Sequence, residues 1–314
     1  MERPTIRQLE CVVAVADHGS FRAAATAVGV TQPALSAHVA QLESLLGVQI
    51  FERDRRRVLV TPAGAAVVAR ARAAVHAVDG VVDSARSAGE PLAGPLRVGV
   101  IPTVAPYLLP RVLPMVRQRF PSLLLVLRED QTARLLDEID AGRLDALVMA
   151  LPVPGDLTAV PLYDEAFVLA APRGDRLAKK KRVRDDDLAG QKVLLLEDGH
   201  CLRDQALAVC HGAGATEMAQ MRATSLPTMV QMVAGGLGLT LLPEMAAPVL
   251  APSPASGIVT VPFTAPPPSR TIGLVWRTSS ARLREFRLLA DVMREAATRH
   301  LATLRRSRLS HQAA

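Results

Sequence analysis

Two cysteines carry the most specific chemistry in the chain. Cys201 and Cys210 lie in one stretch, Leu194 to Gly212, reading LLLEDGHCLRDQALAVCHG, and the 314 residues hold only one other cysteine, Cys11. The apolar run Val193 to Leu196 predicts a buried strand, Glu197-Asp198-Gly199 a turn, and the residues from Cys201 a helix that Gly212 stops. If both cysteines sit on that helix they cannot bond. Their spacing gives a rise of about 13.5 Å and a rotation of about 180°, whereas a disulfide needs Cα atoms within about 7 Å. The segment therefore keeps a helix and two free thiols, or forms a disulfide and loses the helix. Cys201 falls at the helix N-terminus, where the dipole favours an anion, and His200 and Arg203 add to that pull. Glu197, Asp198 and Asp204 oppose it. Cys210 shares its side of the helix with Ala206 and Leu207, so it is expected to be more buried and less reactive.

That asymmetry suits a thiol that attacks a peroxide, becomes a sulfenic acid and then condenses with a second thiol. Other readings of the same residues stay open. Two structural thiols are the plain alternative. A metal site from His200, Cys201, Cys210 and His211 does not have the common zinc spacing, and no metal or cofactor is expected. A thiol peroxidase would use the same first step.

The elements that must position these groups fall into two halves. The length suggests two or three domains. The net charge of +7 and a pI near 10.0 fit a nucleic-acid partner. Residues are 49% hydrophobic and only 3% aromatic, so the cores are expected to be built from Ala, Val and Leu. The N-terminus has no apolar run like a secretory signal, and no long uncharged apolar segment predicts a membrane span. A cytoplasmic location is expected, where lasting disulfides are rare and transient ones are redox-sensing or catalytic.

In the first sixty residues, Leu9, Val12 or Val13, and Ala16 repeat at helical spacing, with Cys11 as a small buried hydrophobe. Ser20 is placed to cap a helix from Phe21 to Val28. After a turn at Gly29 and Val30, Thr31 caps a third helix with Pro33 in its first turn. Leu35, Val39, Leu42 and Leu46 should face the core. Helix, short turn, then a helix with an early polar face is the arrangement of a helix-turn-helix. The third helix has no Lys or Arg, so phosphate-neutralising charge must come from Arg22 and from Arg53, Arg55, Arg56 and Arg57. Those four lie between the short apolar runs Val48 to Phe51 and Val58 to Val60, a basic hairpin or wing.

Residues 1 to about 90 resemble the N-terminal part of LysR-type transcriptional regulators. The carrying residues are Leu9, Ser20, Phe21, Ala24 and Ala25; Thr31-Gln32-Pro33-Ala34-Leu35-Ser36; Leu42-Glu43; Leu46-Gly47; Phe51-Glu52-Arg53; and Thr61-Pro62-Ala63-Gly64. The resemblance implies that Gln32, Pro33 and Ser36 approach bases, Thr31 a phosphate, and Arg53 the minor groove or backbone. Ala40 and Gln41 stand where related regulators often carry basic residues. From Thr61 and Pro62 a long helix follows. Val68, Ala71, Val75, Val78, Val82 and Ala85 repeat in steps of three and four, the spacing of a helix-helix seam. Packing against the chain's own body is the alternative, and the resemblance favours a dimer. Glu90 to Pro95 reads as a hinge.

Beyond Pro95 strands and helices alternate, which predicts a mainly parallel α/β sheet. The resemblance implies an α+β chain overall: a winged helix-turn-helix (1–61), a linker and dimerisation helix (62–90), a hinge (91–95), and a two-lobed periplasmic-binding-protein-like effector domain (96–314). Lobe I would span about 96–165 plus 270–300, and lobe II about 166–269. Thr103 and Thr132 would each open a helix facing the cleft, with simple capping as the alternative. The run Lys179 to Arg184, followed by three aspartates, reads as a solvated loop. The segments Ile101-Pro102-Thr103, Pro106 to Pro110, Leu196 to Ala206, Arg222 to Leu226 and Arg270 to Val275 resemble the hydrogen-peroxide-responsive members of the family. That resemblance makes Cys201 the peroxide-reacting and Cys210 the resolving cysteine, with Thr103, Thr132, His200 and Arg270 around the peroxide. It implies a redox-sensing transcription factor and not an enzyme, partnered by promoter DNA, hydrogen peroxide and RNA polymerase. It also implies a homodimer that assembles to a homotetramer. A metabolite-responsive regulator with incidental cysteines is the runner-up.

Overall fold

The structure is a computed structural model that describes residues 3–53, 58–87 and 91–313. The chain divides into two compact units, Met1–Glu90 with Ala141–Arg143, and Pro91–Asp140 with Leu144–Ala314.

The first unit comprises α1 (Ile6–His18), α2 (Phe21–Ala27), α3 (Gln32–Leu46), β1 (Phe51–Arg53), β2 (Val58–Val60) and α4 (Pro62–Ser87). Local sequence sets its helix ends. Thr5 and Gln8 form a reciprocal capping box on α1, and the Ser20 and Thr31 hydroxyls accept from the third residues of α2 and α3. Gly19 and Gly47 close α1 and α3 in the left-handed region, at φ 59° and 65°. Cys11, Val12, Val15, Leu35, Val39 and Leu42 are fully buried, and Phe21 meets Phe51 edge-on. Leu46 departs from expectation: it is 39% exposed. Leu45 packs against the core instead, in the last turn of α3. The wing pairs Phe51 with Val60 and Arg53 with Val58. It is shorter than expected at its first strand, since Val48 to Ile50 precede the pairing. Arg55, Arg56 and Arg57 lie outside the described residues. The Glu43 carboxylate accepts from the Ile50 and Phe51 amides at 2.8 and 3.1 Å, which anchors the wing to α3.

The linker helix corrects part of the expected seam. Val68 and Ala71 are buried, in the first unit, where α4 packs on α1; Val68 belongs to that unit's core cluster. They are therefore not free for a second chain. Val75 is half-buried, Val78 exposed, and the Val82 side chain lies outside the described residues.

The second unit comprises β3 (Gly94–Val100), α5 (Ala105–Arg119), β4 (Leu123–Glu129), α6 (Thr132–Asp140), β5 (Ala146–Leu151), β6 (Leu157–Pro172), β7 (Lys192–Leu196), α7 (Cys201–Gly212), β8 (Thr216–Ala223), α8 (Leu226–Ala234), β9 (Thr240–Pro243), α9 (Ala247–Leu250), β10 (Ile258–Pro262), β11 (Ser269–Arg277) and α10 (Leu283–Ala313). The hinge is shorter than expected, because Gly94 and Pro95 already pair with Leu123 and Leu124. The sheet is mixed and not mainly parallel. β3 runs parallel to β4 and β5, whereas β11 is antiparallel to β5 and β6, and β6 is antiparallel to β9 and β10. The late strand β11 inserts between β5 and β6 and runs opposite to both, so β5 and β6 share a direction and β11 is what breaks the parallel order in lobe I. β6 is the crossover. Its first part pairs with β11 up to Ala166, and from Phe167 it pairs with β9 and β10. One strand thus carries the chain from lobe I to lobe II, and β11 returns it. In lobe II, β7 and β8 pair in parallel, with α7 between them in sequence.

Candidate functional site: a cysteine pair on one helix

α7 begins at Cys201 and contains both Cys201 and Cys210, and both are free thiols. Its N-cap is His200, whose side chain makes no capping bond. The cysteines differ as their surroundings require. Cys201 is partly exposed. Cys210 is 2% exposed, and burial, then the nearby Glu217 carboxylate, push its thiol up to about 11. It is therefore a neutral thiol at pH 7, about 13.5 Å of helix rise from Cys201.

The turn before Cys201 is tied down on both sides. Arg203 is buried and donates to Asp198 at 2.8 Å and to both Glu217 oxygens at 2.8 and 3.2 Å. Arg222 also pairs with Asp198. This network joins the turn, α7 and β8, and Arg203 is committed to it. On the other side the Gln131 amide donates to Glu197 at 2.9 Å and lies 3.3 Å from His200 Nε2. Gly199 is required here: at φ +95°, an added Cβ would meet Gln131 Oε1 at 2.9 Å. Burial holds the His200 imidazole below its usual pKa, against the pull of Glu197 and a hydrogen bond to the Thr224 backbone. A neutral ring accepting from Gln131 at Nε2 fits both contacts.

Arg270 is 3% exposed. It donates from Nε and Nη2 to Glu165 Oε2 (3.0 and 2.8 Å), from Nη1 to Thr103 Oγ1 (3.0 Å) and from Nη2 to the Thr103 carbonyl (3.0 Å). Four of the five guanidinium hydrogens are thereby used. Arg270, expected beside the peroxide, is a clamp on Thr103 with one Nη1 hydrogen to spare. Because Thr103 Oγ1 accepts from Arg270, its own hydrogen is left to donate elsewhere. Thr103 does not cap α5, whose N-cap is Val104. Thr132 is the first residue of α6, and its buried Oγ1 has no hydrogen-bond partner.

Strand register carries both threonines to one edge of the sheet. Val100 and Glu129 are partners in the parallel pair β3–β4, and Thr103 and Thr132 each follow three residues later. Ligands of open α/β sheets gather at the carboxyl ends of strands. Tyr107, in the first turn of α5, is pushed up to about 12 by burial and feels the charges of Arg270, Glu129 and Glu165. The structure bonds Thr103 to Arg270 and sets His200 against Gln131, the neighbour of Thr132. No described hydrogen bond links one pair to the other. Periodicity alone did not mark Glu165, Gln131 or Gln205. Gln205 lies four residues after Cys201, on the same helix face, and its buried Oε1 also has no partner. Its spacing was the one available signal. Among the described residues no group of three or more metal-ligating side chains is gathered.

In the first unit Arg22, Thr31, Gln32 and Pro33 are exposed, and Ser36 is half-buried. The Thr31 hydroxyl caps α3 through the Ala34 amide at 3.4 Å. Arg53 closes β1, with its side chain outside the described residues.

A winged helix-turn-helix joined to a two-lobed α/β unit defines a DNA-binding regulator with a sensory domain. The comparisons place it further. Residues 6–65 match the bacterial regulatory helix-turn-helix protein model of the lysR family, and residues 89–298 match the LysR substrate binding domain. The chain belongs to the LysR family of transcriptional regulators. It is 50% identical over 295 residues to a probable hydrogen peroxide-inducible genes activator of Mycobacterium avium, covering 93% of this chain and 94% of that protein. A full-length cysteine-to-aspartate variant of OxyR from Pseudomonas aeruginosa superposes with a TM-score of 0.79 at 36% identity, over 93% of this chain and 98% of that one. A cysteine-to-serine variant of Corynebacterium glutamicum OxyR with hydrogen peroxide bound gives 0.68 at 37% identity, over 98% and 96%. No helix among the described residues is long and apolar enough to cross a membrane.

Proposed function

We propose that this chain is a hydrogen-peroxide-sensing transcription factor whose switch is the Cys201–Cys210 pair. The observation that carries the reading is the placement of two free thiols, one partly exposed and one buried, at opposite ends of a single helix. The Cys201 thiolate attacks one peroxide oxygen. The O–O bond breaks, hydroxide leaves and takes up a proton to become water, and Cys201 is left as a sulfenic acid. Thr132 and Thr103 hold the peroxide through their hydroxyls, and the spare Arg270 hydrogen stabilises charge on the departing oxygen. The Cys210 thiol, losing its proton, then attacks the sulfenic sulfur and expels water. The disulfide forms only after α7 unwinds, because the helical spacing forbids it.

The rest of the chain reads out that change. Gln32, Pro33 and Ser36 approach base edges of promoter DNA, while Thr31, Arg22 and Arg53 hold the phosphate backbone. The chain dimerises through α4 beyond Ala71, by Val75, Val78 and Val82, and dimers pair into a tetramer. Unwinding α7 repacks the sensory units and shifts the DNA-reading heads on the promoter, which exposes or withdraws it from RNA polymerase. The protein works in the cytoplasm, where reductants restore the thiols. The test is a promoter footprint with and without peroxide. Wild type should change its footprint and Cys201→Ser should not. A Cys201→Ser protein that still responds would overturn the reading, and sustained peroxide turnover without promoter binding would replace it with a peroxidase.

A further inference from the structure

Away from the cysteine helix, a cavity of about 360 Å³ opens beside the crossover, where β6 changes partners. It shares no lining residue with the Cys201 site. Its volume lies within the range of roughly 300–1,000 Å³ that small-molecule sites occupy. Phe167 and Phe263, both almost fully buried, supply an apolar interior, and Ala265 is an exposed part of its wall. Three charged side chains complete it: Arg182, Glu244 and Arg305. Arg305 donates to the buried Glu244 carboxylate at 3.3 and 3.1 Å. Exposed Arg182 makes a single 3.3 Å bond to the Phe263 carbonyl and has no carboxylate partner among the described residues. The lining therefore carries two guanidiniums against one carboxylate.

We propose that this cavity binds a small amphipathic carboxylate, with its apolar body against Phe167 and Phe263 and its carboxylate on Arg182. A guanidinium held beside an apolar cavity pairs in two-pronged fashion with a carboxylate, and that pairing gives the site its selectivity. The cavity is bounded by β6 at Ala166 to Val168 and by the chain entering β11 at Pro267. A bound molecule thus touches one strand that joins the lobes and the segment leading into the other.

Isothermal titration of the full-length reduced protein with phenylacetate, phenylacetamide and phenethylammonium tests the proposal. Phenylacetate should bind once per chain, about tenfold more tightly than the amide, as expected for a charge-assisted hydrogen bond. The cation should not bind. Arg182→Gln should reduce phenylacetate to the level of the amide, and Ala265→Trp, which fills the cavity from an exposed position, should remove binding. Equal affinity for acid and amide, unchanged binding in Arg182→Gln, or no binding of phenylacetate to the wild type would each overturn it. Circular dichroism of both variants separates loss of binding from loss of fold.

Discussion

Single residues in the sensory unit carry unequal electrostatic stakes. The Arg270–Glu165 pair is almost wholly buried, so removing one partner strands a charge. Arg270→Met should cost about 3–5 kcal/mol in urea denaturation, and adding Glu165→Gln should restore part of it. A loss below about 1 kcal/mol, as for an exposed pair, would refute the clamp. His200 supplies a pH dependence of definite sign. Its pKa is held below 6.5 by burial, so below pH 6.5 the unfolded chain binds more protons at this site than the folded one. Its contribution to stability is present above 6.5 and is lost as pH falls through the folded value. The urea midpoint should drop on acidification through that window, and His200→Gln should flatten the drop. Parallel pH profiles for the two proteins would exclude the assignment.

The decisive element is α7. Its start is anchored by Arg203, Asp198, Glu217 and Arg222, and its end by burial of Cys210. Unwinding must break both. Glu217 serves twice, because it binds Arg203 and raises the Cys210 pKa. Glu217→Gln should therefore speed disulfide closure severalfold after a peroxide pulse. It should leave sulfenic acid formation unchanged, as read by dimedone labelling in a Cys210→Ser background. Equal closure rates would show that the network does not limit the opening of α7.

For the whole molecule, the proposed dimer puts its seam on α4. Its first half is spent on the first unit, where Val68 and Ala71 are buried, while Val78 and Val81 are 39% and 69% exposed. Large exposed apolar side chains in sequence on one helix mark a partner surface. Val78→Asp should shift sedimentation toward monomer at micromolar concentration with helicity retained. An undisturbed dimer would move the interface elsewhere. A protein that binds DNA through paired heads should lose promoter affinity in the same variant.

What the sequence determined by itself was local. Thr5, Ser20 and Thr31 cap their helices, Leu35, Val39 and Leu42 turn inward, and nine residues of helix keep Cys201 from Cys210. Each follows from chemistry within a few turns of chain. Only the tertiary structure decided the rest. Glu165 meets Arg270 from 105 residues away and Gln131 meets His200 from 69, so no local pattern announces either. The stripe has one period along α4, yet Val68 and Ala71 are buried in the first unit while Val78 is exposed, because only the first turns lie against the small core. The sheet is mixed because the late strand β11 inserts antiparallel between β5 and β6, a fact of connection and not of strand propensity. Helix and disulfide exclude each other by backbone geometry alone. What exclusion acts on depends on which distant side chains the fold brings to the same edge of the sheet.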